Sequence, residues 1–290
     1  MVVELVLLGA ECPQERAFTG SLGAADGGEL FARVVGGALF DAGAGRCRVT
    51  AVPPDADANT LLTAVKEAVE RDSRLLVVYL AGQFTWDVRR RRPVLVTAGS
   101  GRDNAHGRGL AWDWVVSALA HGAGAARGES LLVVDAVVGA EAWASATFDA
   151  VGVRLWGRLQ PYAPSRWGRG SSGSGPSSGT TGRSGGSSSD GSSGPGPLVG
   201  VGAVTATAGG FAALLAQALQ EGLPGLSAVL DPAALHSTLE ARDTPGSRWL
   251  GPPAASRLLL RNRAVLRGAL VEGPGAAPQG ESGEQQQPRG

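Results

Sequence analysis

Few residues in this chain carry groups that could do covalent chemistry, and they are scattered. There are two cysteines, Cys12 in GAECPQ and Cys47 in GRCRV, and three histidines, His106, His121 and His236. Ser100, Asp103 and His106 share the stretch GSGRDNAHGRG, and a serine with a histidine base and an acid would make a hydrolase. A nucleophile elbow, however, needs Gly-x-Ser-x-Gly at a strand-to-helix turn. The residues around Ser100 do not spell it, so a polar loop is expected there. Cys12 follows the first apolar run, where α/β sheets place their sites. A thiol nucleophile there needs a base, and no histidine sits on an obviously adjacent pattern. The expectation is an inert, buried cysteine. Cys47, flanked by arginines, is expected to be half-buried filler. His121 ends a helical pattern, where a cation complements the dipole, and His236 lies inside another, at the surface.

The most site-like stretch is LLVVDAVVGAEAW, residues 131–143. An apolar, β-branched run stops on Asp135 and enters a helical pattern past Gly139, as strand ends that hold ligands do. Yet Ala136, Val137 and Val138 follow the acid, and none of them can act as nucleophile, acid or base.

The elements that would position these residues follow from periodicity. Val2–Leu8, Leu75–Leu80 and Leu131–Val134 read as buried parallel strands, with Val94–Thr97 and Val199–Thr207 as further strands. Leu30–Phe40, Asn59–Arg71 (capped by Asp57 or Asn59), Trp112–Leu119 and Phe211–Leu219 read as helices. This alternation predicts an α/β fold, a mainly parallel central sheet flanked by helices in three layers. Residues 168–197 are almost wholly Gly, Ser, Thr and Pro, so a flexible loop is expected there, and residues 268–290 read as a disordered tail. Because residues 198–267 hold too little for a core of their own, 1–267 is expected to be one domain with 1–167 as its larger part.

Composition narrows the function class. The 290 residues are 43% hydrophobic with zero formal net charge, which gives no electrostatic case for nucleic acid or an anionic membrane. Lys66 is the only lysine, and Arg89–Arg92 reads as a solvated loop rather than a nucleic-acid patch. The first residues, MVVELVLLGA, lack a basic n-region, and no apolar run approaches a membrane span, so a cytoplasmic chain is expected. Two cysteines are too few for a disulfide framework or a Cys-based zinc site, and neither cofactor nor metal is expected.

Several stretches, in order, resemble the caspase-like peptidases, the family that includes metacaspases. LLVVYLAGQF resembles the strand that delivers their catalytic histidine, and LLVVDAVVGA the strand that delivers their cysteine. LAWDWVVSALA is similar to the helix between those strands in bacterial members. Beyond the Gly/Ser-rich segment, GVGAVTATAGGFAALLAQALQEGL and LHSTLEARDTPGSRWLGPPAASRLLLRNR resemble the small-subunit part. The resemblance implies a caspase-like sandwich, and it covers nearly all of residues 1–267. It places the histidine position on Gln83 and the cysteine position on Val137. An amide cannot take a thiol proton at neutral pH and valine has no nucleophile, so the dyad of covalent catalysis is absent.

The resulting expectation is a catalytically inactive relative, a pseudo-peptidase that regulates or binds. Its partner would be a protein or peptide: an active caspase-like homologue, a second copy, or a component of a bacterial signalling or defence assembly. The alternative is an active hydrolase with a relocated nucleophile such as Cys12. The dead cleft is expected to remain a binding groove formed by Gln83, Phe84, Trp86, Asp135, Ala136 and Gly139, preferring a cationic side chain. A carboxylate buried there needs a ligand or an internal arginine, or else Asp135 serves to cap the turn that follows it. Of the seven tryptophans, one of Trp112 and Trp114 is expected at the surface, and Trp143, Trp156 and Trp249 in packing.

Overall fold

The β-branched run near the start forms β1 (Val3–Gly9), buried along its whole length. It includes Glu4, which is 1% exposed and held by the Arg71 guanidinium, so the charge is paired within the fold. The structure is a computed structural model and describes residues 2–40, 47–71, 73–122, 128–162, 210–251 and 256–264. The expected loop 168–197, strand 199–207 and tail 268–290 lie outside the described residues.

After β1 come a 3-10 turn (Arg16–Ser21), helix α1 (Ala24–Ala38), β2 (Cys47–Val52) and α2 (Ala58–Glu70). Asp57 is the N-cap of α2, accepting from the Thr60 N–H at 2.8 Å. β3 (Leu75–Asp87) continues seven residues beyond the expected Leu80, and its far end folds back as a hairpin with β4 (Arg92–Leu95). Then follow the short α3 (Ala105–Arg108), β5 (Leu110–Ala111), α4 (Trp112–Gly122), β6 (Glu129–Val138), α5 (Ala140–Ser145) and β7 (Arg154–Pro161). β7 was missed by pattern reading because Arg154, Gly157 and Arg158 interrupt its apolar run. The last described part supplies α6 (Phe211–Glu221), β8 (Val229–Leu230), α7 (Pro232–Arg242), β9 (Arg248–Leu250) and β10 (Leu260–Arg261).

The main sheet runs in the order β2-β1-β3-β6-β7-β9. The first five are parallel neighbours and β9 is antiparallel to β7. Alternate side chains of each strand enter opposite layers, the period-two rule of a sheet covered on both faces. Val3, Leu5, Tyr79 and Val133 pack with Phe31 of α1 and Leu215 of α6. Val6, Val78, Leu132 and Val134 pack with Leu61 and Val65 of α2 and Leu119 of α4. The fold is therefore α/β, a mainly parallel central sheet flanked by helices in three layers, as the alternation predicts. The chain turns back at β1, so β1 and β3 flank the crevice where such sheets bind ligands.

Candidate functional site

Gln83 and Val137 are register partners on β3 and β6. Both lie inside strands, because the sheet continues to Asp87 and Val138. Their side chains are 3% and 2% exposed. What covers them is the 3-10 turn. Gln83 Nε2 donates to the Ala17 carbonyl at 3.1 Å, and Thr19 Oγ1 shares a 2.6 Å hydrogen bond with Tyr162 Oη. Gly20 lies so close that a Cβ there would meet Val137 Cγ2 at 2.6 Å, Tyr162 Cδ2 at 2.7 Å and Gln83 Oε1 at 2.9 Å. Only glycine fits this approach. Gln83 Oε1 is buried and has no hydrogen-bond partner among the described residues. Beside β1, Glu11 accepts the Gly23 N–H at 3.0 Å and the Ala25 N–H at 3.2 Å at the start of α1.

Asp135 sits one same-face step deeper and is 5% exposed. Its Oδ2 accepts from Tyr79 Oη at 2.7 Å and from the Ala212 N–H at 3.2 Å. Its register partner is Arg158, whose guanidinium makes a 3.1 Å ion pair with Asp243. Asp243 in turn accepts from Trp249 Nε1 at 2.9 Å. Burial pushes the Asp135 carboxyl above the ordinary carboxylate range, against the pull of the Phe211 N–H, the Tyr79 hydroxyl and Arg158. Burial also drives Tyr79 well upward, so it stays a proton donor. The Asp135 carboxyl is thus met from inside the fold, directly by Tyr79 and Ala212 and through charge by Arg158. The capping role is real but falls elsewhere: α6, which begins after Gly210 without a side-chain cap, is the helix whose N–H groups Asp135 accepts.

The remaining expected groove residues separate from these. Phe84 is wholly buried on the opposite face, edge-on to Trp112 and Phe148 with centroids at 6.0 and 5.0 Å. Trp86 and Ala136 belong to that same lower layer. Gly139 donates its N–H to the Phe84 carbonyl at 2.8 Å, tying the end of β6 to β3. The single groove expected from all six residues is therefore corrected. Parallel strand ends do share one edge, but residues 84, 86 and 136 point away from 83, 135 and 137. Arg158, Asp243, Tyr79, Tyr162 and Gly20 were missed; the one signal in the sequence was an arginine inside the apolar run RLWGRLQ.

The other chemical groups form no site. Cys12 is 0% exposed, packs on Phe18 and Val96, and donates its thiol to the Ser100 carbonyl at 3.1 Å. Burial pushes that thiol up, the wrong direction for a nucleophile, and it does the same at half-buried Cys47. Ser100 Oγ accepts from the Thr97 N–H at 3.0 Å, and Asp103 is exposed. No hydrogen bond joins Ser100, Asp103 and His106. His121 Nδ1 lies 2.6 Å from the Ser117 carbonyl at the end of α4, and His236 is on α7 beside Trp249. Trp114 is the exposed member of its pair at 44%, and Arg92 pairs with Asp113. Among the described residues no group of three or more His, Cys, Asp or Glu side chains could hold a metal ion, and no helix is long and apolar enough to cross a membrane.

Compared with protein-family models and with curated proteins, the chain matches none.

Proposed function

We propose that this chain is a non-catalytic, caspase-like module, a pseudo-peptidase that works in the cytoplasm by binding a protein or peptide. The observation that carries this reading is the register pair Gln83 and Val137. On neighbouring parallel strands, two positions in contact are where a base and a nucleophile would cooperate, and here they hold an amide and an isopropyl group. The covering turn at Gly20 supports it further, since it packs directly on both side chains. The caspase-like part of the reading is carried by the motif resemblance, which rests on the sequence. The module would regulate an active caspase-like enzyme, pair with a second copy, or present a peptide site within a bacterial signalling or defence assembly.

The rival hydrolase reading finds no support at Cys12, which is sealed and bonded to a carbonyl. The deciding experiment is prolonged incubation of the full chain with a degenerate fluorogenic peptide library, beside Cys12→Ser. No turnover by either protein is expected. Cleavage by the wild type that vanishes in Cys12→Ser would replace this reading with the enzymatic one.

A further inference from the structure

Resting on the binding reading above, we infer that the pocket at the ends of β6 and β7 takes an uncharged side chain, and that Arg158 sets this preference by occupying the acidic seat beneath it. The pocket has a volume of about 150 Å³ and is lined by Val137, Gln160, Pro161, Tyr162 and residues 244–247. None of these side chains carries a formal charge at neutral pH. Three of the lining positions lie one or two residues beyond the members of the buried ion network. Val137 follows Asp135 on β6, Gln160 follows Arg158 on β7, and Thr244 follows Asp243. Because Asp135↔Arg158 and Val137↔Gln160 are successive same-face register pairs, the charged layer lies directly under the uncharged one. The β7–β9 ladder ends at Leu159↔Arg248, and the pocket begins just beyond it.

This layering decides what can bind. A cationic side chain entering from the strand ends finds no free carboxylate: Asp135 is 5% exposed and faces Arg158, and Asp243 is taken by Arg158 and Trp249. Desolvating a second cation against a carboxylate already engaged is unfavourable. An anionic side chain finds no cation among the described lining residues, and Arg158 beneath them is 1% exposed. A cavity of about 150 Å³ is large enough to hold a benzene ring, so the side chain of Ala, Val, Thr or Pro enters without strain. The hydroxyls of Thr244, Ser247 and Tyr162 offer hydrogen bonds to a small polar group without demanding charge.

The test is fluorescence polarisation of the full chain with degenerate hexapeptides that share one fixed central residue: Ala, Val, Thr, Arg, Lys or Asp. Sets fixed at Ala, Val or Thr should bind at least about tenfold tighter than those fixed at Arg, Lys or Asp. Arg158→Met should uncover the acids and shift the preference toward the Arg and Lys sets. Ser247→Leu, on a partly exposed loop position and so tolerable for folding, should fill the pocket and weaken the Ala, Val and Thr sets by about tenfold or more. If Arg-fixed peptides bind the wild type as tightly as Ala-fixed ones, if no set binds, or if Ser247→Leu behaves like the wild type, the inference is wrong. None of these results would touch the non-catalytic reading, which only turnover in the library assay overturns.

Discussion

Tyr79 Oη donates to Asp135 Oδ2 across 2.7 Å, and both groups are cut off from solvent. The pair joins β3 to β6 beneath Gln83 and Val137 and, through Ala212, to the start of α6. It is a structural tie made from an acid that sequence patterns place at a site. Removing the hydroxyl in Tyr79→Phe should cost about 1.5–3 kcal/mol, the range for a hydrogen bond to a charged group. Asp135→Leu should cost about 3–5 kcal/mol by leaving a buried arginine without one of its two acids. Urea unfolding of both variants and of the Tyr79→Phe/Asp135→Asn double variant checks this; strictly additive losses would show that the two groups are not coupled.

The approach of the 3-10 turn to Gln83 and Val137 is equally testable. Gly20→Ala places a methyl 2.6 Å from Val137 Cγ2, so it should destabilise by about 1–3 kcal/mol as overpacking does. Adding Val137→Ala removes the struck methyl and should recover part of the loss. Thermal unfolding of the three variants reads the recovery. A double variant less stable than the sum of the singles would mean that the turn does not rest on Val137.

Phe84 belongs to the core between the sheet and α4. Phe84→Ala should cost about 3–5 kcal/mol through lost burial and a cavity beside Trp112 and Phe148. Folded variant at low temperature should retain the peptide preferences of the wild type. Loss of peptide binding with the fold intact, judged by near-ultraviolet circular dichroism, would return Phe84 to the groove.

Asp87 gives a pH-dependent contribution of known sign. Burial pushes its carboxyl up, but the Arg90 and Arg89 N–H groups and the Arg90 guanidinium outweigh this and hold it below its ordinary value of 3.8. A depressed folded value means that the stabilisation is present above pH 3.8 and is lost as pH falls through the folded value. The stability difference between the wild type and Asp87→Asn should therefore be constant from pH 5 to 7 and shrink below about pH 4. Melting curves across pH 2–7 measure it, and a difference that grows in acid would refute the assignment.

Much of the architecture was legible because it is encoded over short distances. The buried runs at β1, β3 and β6, the stripe of α2 and its Asp57 cap depend on neighbours within a few residues, and these were read correctly in type if not in length. The identity of Gln83 and Val137 needed no coordinates either, since an amide and an isopropyl group lack the chemistry wherever they are placed. β7 escaped because two arginines and Gly157 break its pattern. Its glycine, at φ +136°, is required where a Cβ would strike the Val134 carbonyl at 2.0 Å, a contact between strands that no local window contains.

The sequence by itself determined which side-chain types stand at Gln83, Asp135 and Val137, and the tertiary structure decided what each of them meets. Whether Asp135 met a ligand or an internal partner depended on Tyr79, Arg158 and Ala212, which lie 56, 23 and 77 residues away along the chain. Whether Phe84 lined a groove or a core depended on the strand running on to Asp87, which set its side chain on the α4 face. Residue type travels with the chain, but the side of the sheet a residue faces, and the partner it finds there, are set only when distant strands come into register.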